Sequence, residues 1–334
     1  MDRLTHHLDQ QLLDNWQRGL PIVERPFKVL AQAVNASEDE IIARLVSLQE
    51  SGVIARVGAV VRPNTLGAST LAAIAVPDLE IETTAELLSN EPGINHVYLR
   101  ENDWNIWFVA TGPDRASVDA ALARVESQTN RKVLDLRLER AFHIDLGFAL
   151  NGNGVNRHIA PNGGVSTVGF VPRDDDAQLV QQLMVGLPLV PRPFLELSYE
   201  LERDEADVMQ RIRDLESAGV LPRIGLIVRH RALGWRSNAM VVWDVPEKDV
   251  DAAGAALAKQ DGINLCYRRR RYAQDWPFNL YCMIHAKSRA SALAVLERAS
   301  AAAGLDDLPR TILFSLRCFK QTGALVAPQP KEAA

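Results

Sequence analysis

Apolar residues between Leu12 and Gly52 recur at helical spacing. Phe27, Leu30, Ala31 and Val34 share one face of a first helix, and Ile41, Leu45 and Leu48 one face of a second. Ser37, with Glu40 three residues on, predicts a capped start for the second helix, and Gly52 its C-terminal stop. The period then shortens in VIARVGAVVRP, which reads as a small wing, so this part outlines a winged helix-turn-helix. Further on, the periods predict strand, helix, strand, strand, helix, strand at about 69–77, 83–90, 94–100, 105–111, 115–128 and 133–142. That is the ferredoxin-like βαββαβ order, with two helices covering one sheet face. The other face must be buried against a partner half, another chain or a ligand.

The whole pattern then returns. Gly19-Leu20-Pro21 recurs as Gly186-Leu187-Pro188, Arg25-Pro26-Phe27 as Arg192-Pro193-Phe194, and Arg56-x-Gly58 as Arg223-x-Gly225, each 167 residues on. Strands and helices of the second βαββαβ part are expected at about 238–246, 249–260, 263–270, 278–286, 289–303 and 310–319. The expected fold is therefore α+β: two tandem copies of a winged helix-turn-helix followed by a ferredoxin-like domain, a fused dimer with pseudo-twofold symmetry. The domain bounds are 1–66 and 67–150 for copy one, a Gly/Asn/Asp-rich linker at 151–176, and 177–233 and 234–326 for copy two.

Composition narrows the function. A hydrophobic fraction of 47%, a charged fraction of 24% and a net charge of -5 fit an ordinary globular protein and give no electrostatic reason to expect nucleic acid as main partner. No apolar run approaches about 18 residues and the N-terminus has no apolar signal core, so a cytoplasmic protein without membrane attachment is expected. Cys266, Cys282 and Cys318 lack metal-ligand spacing and read as reduced, buried thiols.

Chemistry concentrates in the hairpin Gly93–Gly112, two strands joined by a polar turn at Glu101, Asn102 and Asp103. Alternation sets His96, Tyr98 and Arg100 on one face, Val97 and Leu99 on the other. In the second copy Leu265 stands where His96 does, and Arg268, Arg269, Arg270 and Arg271 follow in succession. Such a run also suits a solvated edge strand.

The architecture resembles the Lrp/AsnC family of transcription regulators, which implies DNA binding. The residues argue against it. The recognition helices open Ser37-Glu38-Asp39-Glu40 and Arg203-Asp204-Glu205-Ala206-Asp207, whose carboxylates phosphates would repel, and Arg44, Arg211 and Arg213 lie further along. The hairpins NHVYLRENDWNIWFV and NLCYRRRRYAQDWPFNLYCMIH resemble those of the siroheme decarboxylases, in the tandem form that joins two related subunits. That resemblance implies a carboxy-lyase removing the acetate carboxyl groups at positions C12 and C18 of siroheme. Its product, 12,18-didecarboxysiroheme, would feed specialised haem biosynthesis. It implies no cofactor beyond the iron of the substrate and no metal of the protein's own. It leaves open a homo-oligomer or assembly with related decarboxylase subunits. A transcription regulator and a non-catalytic tetrapyrrole-binding protein remain the alternatives.

A flat polycarboxylate needs cations at its rim and aromatic surface at its faces; arginine pairs bidentately with carboxylate. The candidate substrate-binding residues are Tyr98, Arg100, Trp104, Arg140, Arg269 and Arg271. Trp107 and Trp276 are further candidates for the macrocycle face, Trp107 more as core, and Tyr267 matches Tyr98. Decarboxylation near neutral pH calls for a general acid, and histidine suits it. His96 and His143 are the candidate catalytic pair, as proton donors or contacts to the substrate iron. His285 ends an apolar strand and reads as a cap, while His6, His7, His158 and His230 fall in the N-terminal tail, the linker and a surface turn.

Overall fold

The computed structural model describes residues 7–144, 171–272 and 274–327. Most of the expected linker, 151–170, and the positions of His6 and His158 lie outside them.

Copy one runs α1 (His7–Asn15), α2 (Pro26–Ala33), α3 (Glu38–Glu50), β1 (Ile54–Val60), β2 (Ala68–Ile74), α4 (Ile81–Asn90), β3 (Ile94–Arg100), β4 (Ile106–Gly112), α5 (Arg115–Thr129), β5 (Val133–Leu136) and β6 (Leu138–Ile144). Copy two runs α6 (Asp176–Val185), α7 (Pro193–Glu200), α8 (Glu205–Ser217), β7 (Arg223–Val228), β8 (Ser237–Trp243), α9 (Val250–Leu257), β9 (Ile263–Arg269), β10 (Leu280–Ala286), α10 (Arg289–Ala303) and β11 (Arg310–Gln321). The local signals act as expected. Ser37 Oγ accepts the Glu40 amide at the start of α3, and Gly52 takes φ +73° at its end.

The copies do not fold side by side. The chain divides into two compact units, each built from one part of each copy. In the first, the two helix-turn-helix parts join through their wings: β1 and β7 pair antiparallel, with Gly58 opposite Gly225 at the centre. Each helix trio packs its own apolar stripe, including Phe27, Leu30, Ile41 and Leu45 in copy one and Phe194, Leu197, Val208 and Ile212 in copy two.

In the second unit the two βαββαβ parts share a nine-stranded sheet of order β5-β2-β4-β3-β11-β8-β10-β9-β6. Each copy contributes the expected four-strand arrangement, but its last strand does not stop there. Copy one's breaks at Arg137, and β6 leaves to pair with β9 of copy two. Copy two's is one long strand: Arg310–Phe314 pairs with β8, and the stretch from Ser315 to Gln321 pairs with β3 of copy one. Each copy thus covers the other's open edge, and β9 with its arginines is not an edge strand.

One sheet face carries helices. Val97, Ile106 and Phe108 pack there under α4 and α5, and Trp243, Cys266, Cys282 and Ile284 under α9 and α10. The opposite faces of the two copies meet each other: Ala73, Trp107, Leu134 and Leu136 pack with Met240, Val242, Tyr281 and Leu313. The partner half is therefore what buries the centre of the helix-free face. Cys266 and Cys282 are buried free thiols; Cys318, expected buried, is half-exposed on the crossing stretch of β11.

Candidate functional site

The row expected on β3 exists. His96 and Tyr98 stack with ring centroids 6.1 Å apart, and the Arg100 guanidinium lies 5.5 Å from the Tyr98 ring. Val97 and Leu99 point the other way, into the helix-covered core. His96, Tyr98 and Arg100 therefore lie on the helix-free face. Tyr98 stands opposite Trp107, and His96 opposite Val109, which in turn faces Leu71. His96 and Tyr98 are half-buried, at the margin of the apolar centre.

Copy two repeats the row without the histidine. Tyr267 and Arg269 occupy the places of Tyr98 and Arg100, with the Arg269 guanidinium 5.2 Å from the Tyr267 ring. Burial pushes the Tyr267 phenol up to about 12 and raises Tyr281 still further, so both rings stay neutral and can donate a proton in hydrogen bonding. Arg100 and Arg269 play matching parts: Arg100 Nη1 donates to the Leu313 carbonyl at 3.2 Å, and Arg269 Nη1 to the Leu136 carbonyl at 2.9 Å. Both acceptors sit where a last strand leaves its own sheet. Each arginine thus ties down the other copy's crossing strand while its cation stays on the candidate face.

His143 is on β6, opposite Cys266. In the sheet's hydrogen-bond order β11, β8, β10 and β9 stand between β3 and β6, so the two candidate histidines are not on neighbouring strands. The register partner of His143, Cys266, packs under α9 and α10, and neighbouring Phe142 lies against Gly254 of α9, so the pairing sets His143 towards the helix-covered side and not in the row of His96.

Other expected residues are employed differently. Arg140 pairs with Asp251 on α9 at 2.8 Å and lies over the Phe142 ring, on the helix-covered side. Arg271 is held by Asp244, Glu247 and the Pro277 carbonyl, and Arg268 by Glu139, Glu247 and Asp251. Of the arginine run, Arg269 is the member on the face of Tyr267, and Arg270 is exposed. Trp107 and Trp276 are core, 1% and 3% exposed, and meet edge to face at 5.1 Å. Trp104 is half-buried at the rim of that cluster, its carbonyl accepting the Trp107 indole N–H. His285 is buried and bonds through Nδ1 to Asn264 Oδ1 at 3.1 Å, a structural tie.

The residues missed from the sequence come from the crossing strands. Gln321 stands opposite His96 and Lys320 opposite Val97, although they belong to the other copy. The signal was present in the length of the apolar–polar run Arg310–Gln321, too long for one edge of a small four-stranded sheet.

Comparisons agree with this architecture. The AsnC-like ligand binding domain matches residues 65–143 and 232–320, and the siroheme decarboxylase NirDL-like HTH domain matches 9–54 and 176–221. The chain is 51% identical over 320 residues to the siroheme decarboxylase NirDL subunit of Paracoccus denitrificans, covering 96% of this chain and 97% of that one. It is 46% identical over 143 residues to the siroheme decarboxylase NirD subunit of Stutzerimonas stutzeri, covering 43% of this chain and 94% of that subunit, so that separate subunit corresponds to less than half of this chain. The crystal structure of the siroheme decarboxylase NirDL in complex with an iron-uroporphyrin III analogue superposes with TM-score 0.66 at 26% identity, over 95% of this chain and 94% of that one. The repeat, the crossed sheet, and a match spanning both parts of both copies lead to one conclusion: the chain belongs to the siroheme decarboxylase NirDL family.

Proposed function

We propose that this chain, a carboxy-lyase by family, removes the C12 and C18 acetate carboxyl groups of siroheme to give 12,18-didecarboxysiroheme and CO2, with the substrate seated at the margin of the helix-free sheet face. The observation that carries the reading is the end-to-end match to a NirDL subunit, through both helix-turn-helix parts and both ligand-binding parts. A related NirDL has been crystallised with an iron-uroporphyrin analogue, which supports a tetrapyrrole as ligand.

The chemistry is non-oxidative. When each acetate loses CO2, the electron pair of the broken C–C bond ends in a new C–H bond, so the net requirement is one proton per methyl group formed. Ring protonation before CO2 leaves would give that pair a sink in the macrocycle. His96, half-buried and stacked on Tyr98, is the proposed proton donor, and His143, on the crossing strand β6, is the second candidate. Either could instead contact the substrate iron. Tyr98 offers a hydroxyl and Arg100 and Arg269 offer cations to substrate carboxylates, while Trp104 offers an aromatic edge. Arg140 and Arg271 would serve only by exchanging their acidic partners for substrate.

Anaerobic incubation with siroheme and mass analysis should show loss of two CO2, strongly slowed in His96→Ala and His143→Ala. Full turnover in both variants would overturn the site assignment. A regulator reading finds less support, because Arg44 and Arg211 of the recognition helices are engaged by Asp9 and Asp176 of their own copies.

A further inference from the structure

A second concentration of cations lies in the helix-turn-helix unit, where the wings meet. The facing glycines Gly58 and Gly225 let backbone lie directly on the β1–β7 pair: a Cβ on Gly225 would stand 2.5 Å from the Trp16 carbonyl oxygen, and one on Gly58 would overlap that of Leu183. Arg56 and Arg223 precede these glycines by two residues, at equivalent places in the repeat. Strand alternation sets both on the face of the glycines. Arg18 follows directly on the segment that covers Gly225, and its charge and that of Arg56 both act on Arg223.

Several arginines of this unit meet carboxylates: Arg25 meets Glu38, Arg44 meets Asp9, Arg192 meets Glu205, and Arg211 meets Asp176. Arg223 is only 7% exposed, yet its Nε and Nη1 have no hydrogen-bond partner among the described residues, and the same holds for Nε of Arg56. Burial lowers Arg56 to about 10 and Arg223, with the added repulsion, to about 9, so both remain protonated at neutral pH. The buried charge of Arg223, with two of its donors open, calls for a counter-charge.

We propose that the junction of the two wings binds one small doubly charged oxyanion, of the phosphate or sulfate class, between Arg56 and Arg223 with Arg18 beside them. Nε of Arg56 and Nε and Nη1 of Arg223 supply open donors, while Nη2 of Arg56 is on the Ala59 carbonyl at 3.2 Å. The anion would link an arginine of one copy to its counterpart in the other. It is independent of the decarboxylase reading, which concerns the other unit.

The test uses the full chain. Thermal unfolding is followed with inorganic phosphate or sulfate against sodium chloride at matched ionic strength. The expected result is a saturable rise in Tm with either oxyanion, lost in Arg223→Gln and Arg56→Gln and kept in Arg25→Gln. No rise with either anion, or a rise retained in both site variants, overturns the proposal. Should the variants not fold, crystals of wild-type protein soaked in selenate decide it: an anomalous peak between Arg56 and Arg223 supports the site, and its absence there overturns it.

Discussion

Arg211 and Asp176 form a buried ion pair, with Nη2 2.6 Å from Oδ2 and Nε 2.7 Å from Oδ1, joining the recognition helix α8 to the first helix of its copy. Arg44 and Asp9 form the same pair in copy one, with the arginine side chain 30% exposed against 7% for Arg211. The cations that a DNA-binding helix would turn outward here fasten the helix to its own domain.

Removing one partner of such a pair strands the other charge. Arg211→Ala should destabilise the helix-turn-helix unit by about 3–5 kcal/mol, and Arg44→Ala by less because solvent reaches it. Chemical denaturation checks both, and equal losses would contradict the difference in burial.

Turnover should separate the histidines. His96→Ala is expected to lower kcat by about 10²–10⁴-fold, the span of general acid catalysis, with little change in thermal stability. His285→Ala should lower thermal stability, since it loses the tie to Asn264. Anaerobic single-turnover assays with siroheme, paired with melting curves, distinguish them.

Gly254 on α9 lies against the Phe142 ring so closely that a Cβ would overlap it. Phe142 belongs to β6, the crossing strand that carries His143. Gly254→Ala should push that strand from its seat and cost about 1–3 kcal/mol by overpacking. Hydrogen exchange should rise in Leu138–Ile144 rather than in β10.

Arg223 gives a pH dependence whose sign is fixed. Its folded-state value, about 9, is below the ordinary 12.5, so the cost of burying the charge is fully present below 9 and is relieved as pH rises through that value. In chloride buffer Arg223→Met should therefore stabilise the protein at pH 7, by about 1–4 kcal/mol. The gain should shrink above pH 9, as denaturation at both pH values will show.

Much of this protein is written locally. The repeat, both helix-turn-helix outlines, the order of strands and helices and the shared face of His96, Tyr98 and Arg100 follow from period, caps and glycines, because each depends on neighbours a few residues away. The resemblance of the two hairpins carried the family. Only tertiary structure decided that parts of like kind pair across the repeat, that β6 and the end of β11 exchange sheets, and that Gln321 of copy two flanks His96 on the side away from Val109. It also separated the arginines, leaving Arg269 on the candidate face and giving Arg140 and Arg271 to acidic partners. The physical reason is the same in each case: alternation fixes which side a residue faces, while the strand or carboxylate it meets there comes from more than a hundred residues away in Arg140–Asp251 and from a separate turn in Arg271–Asp244.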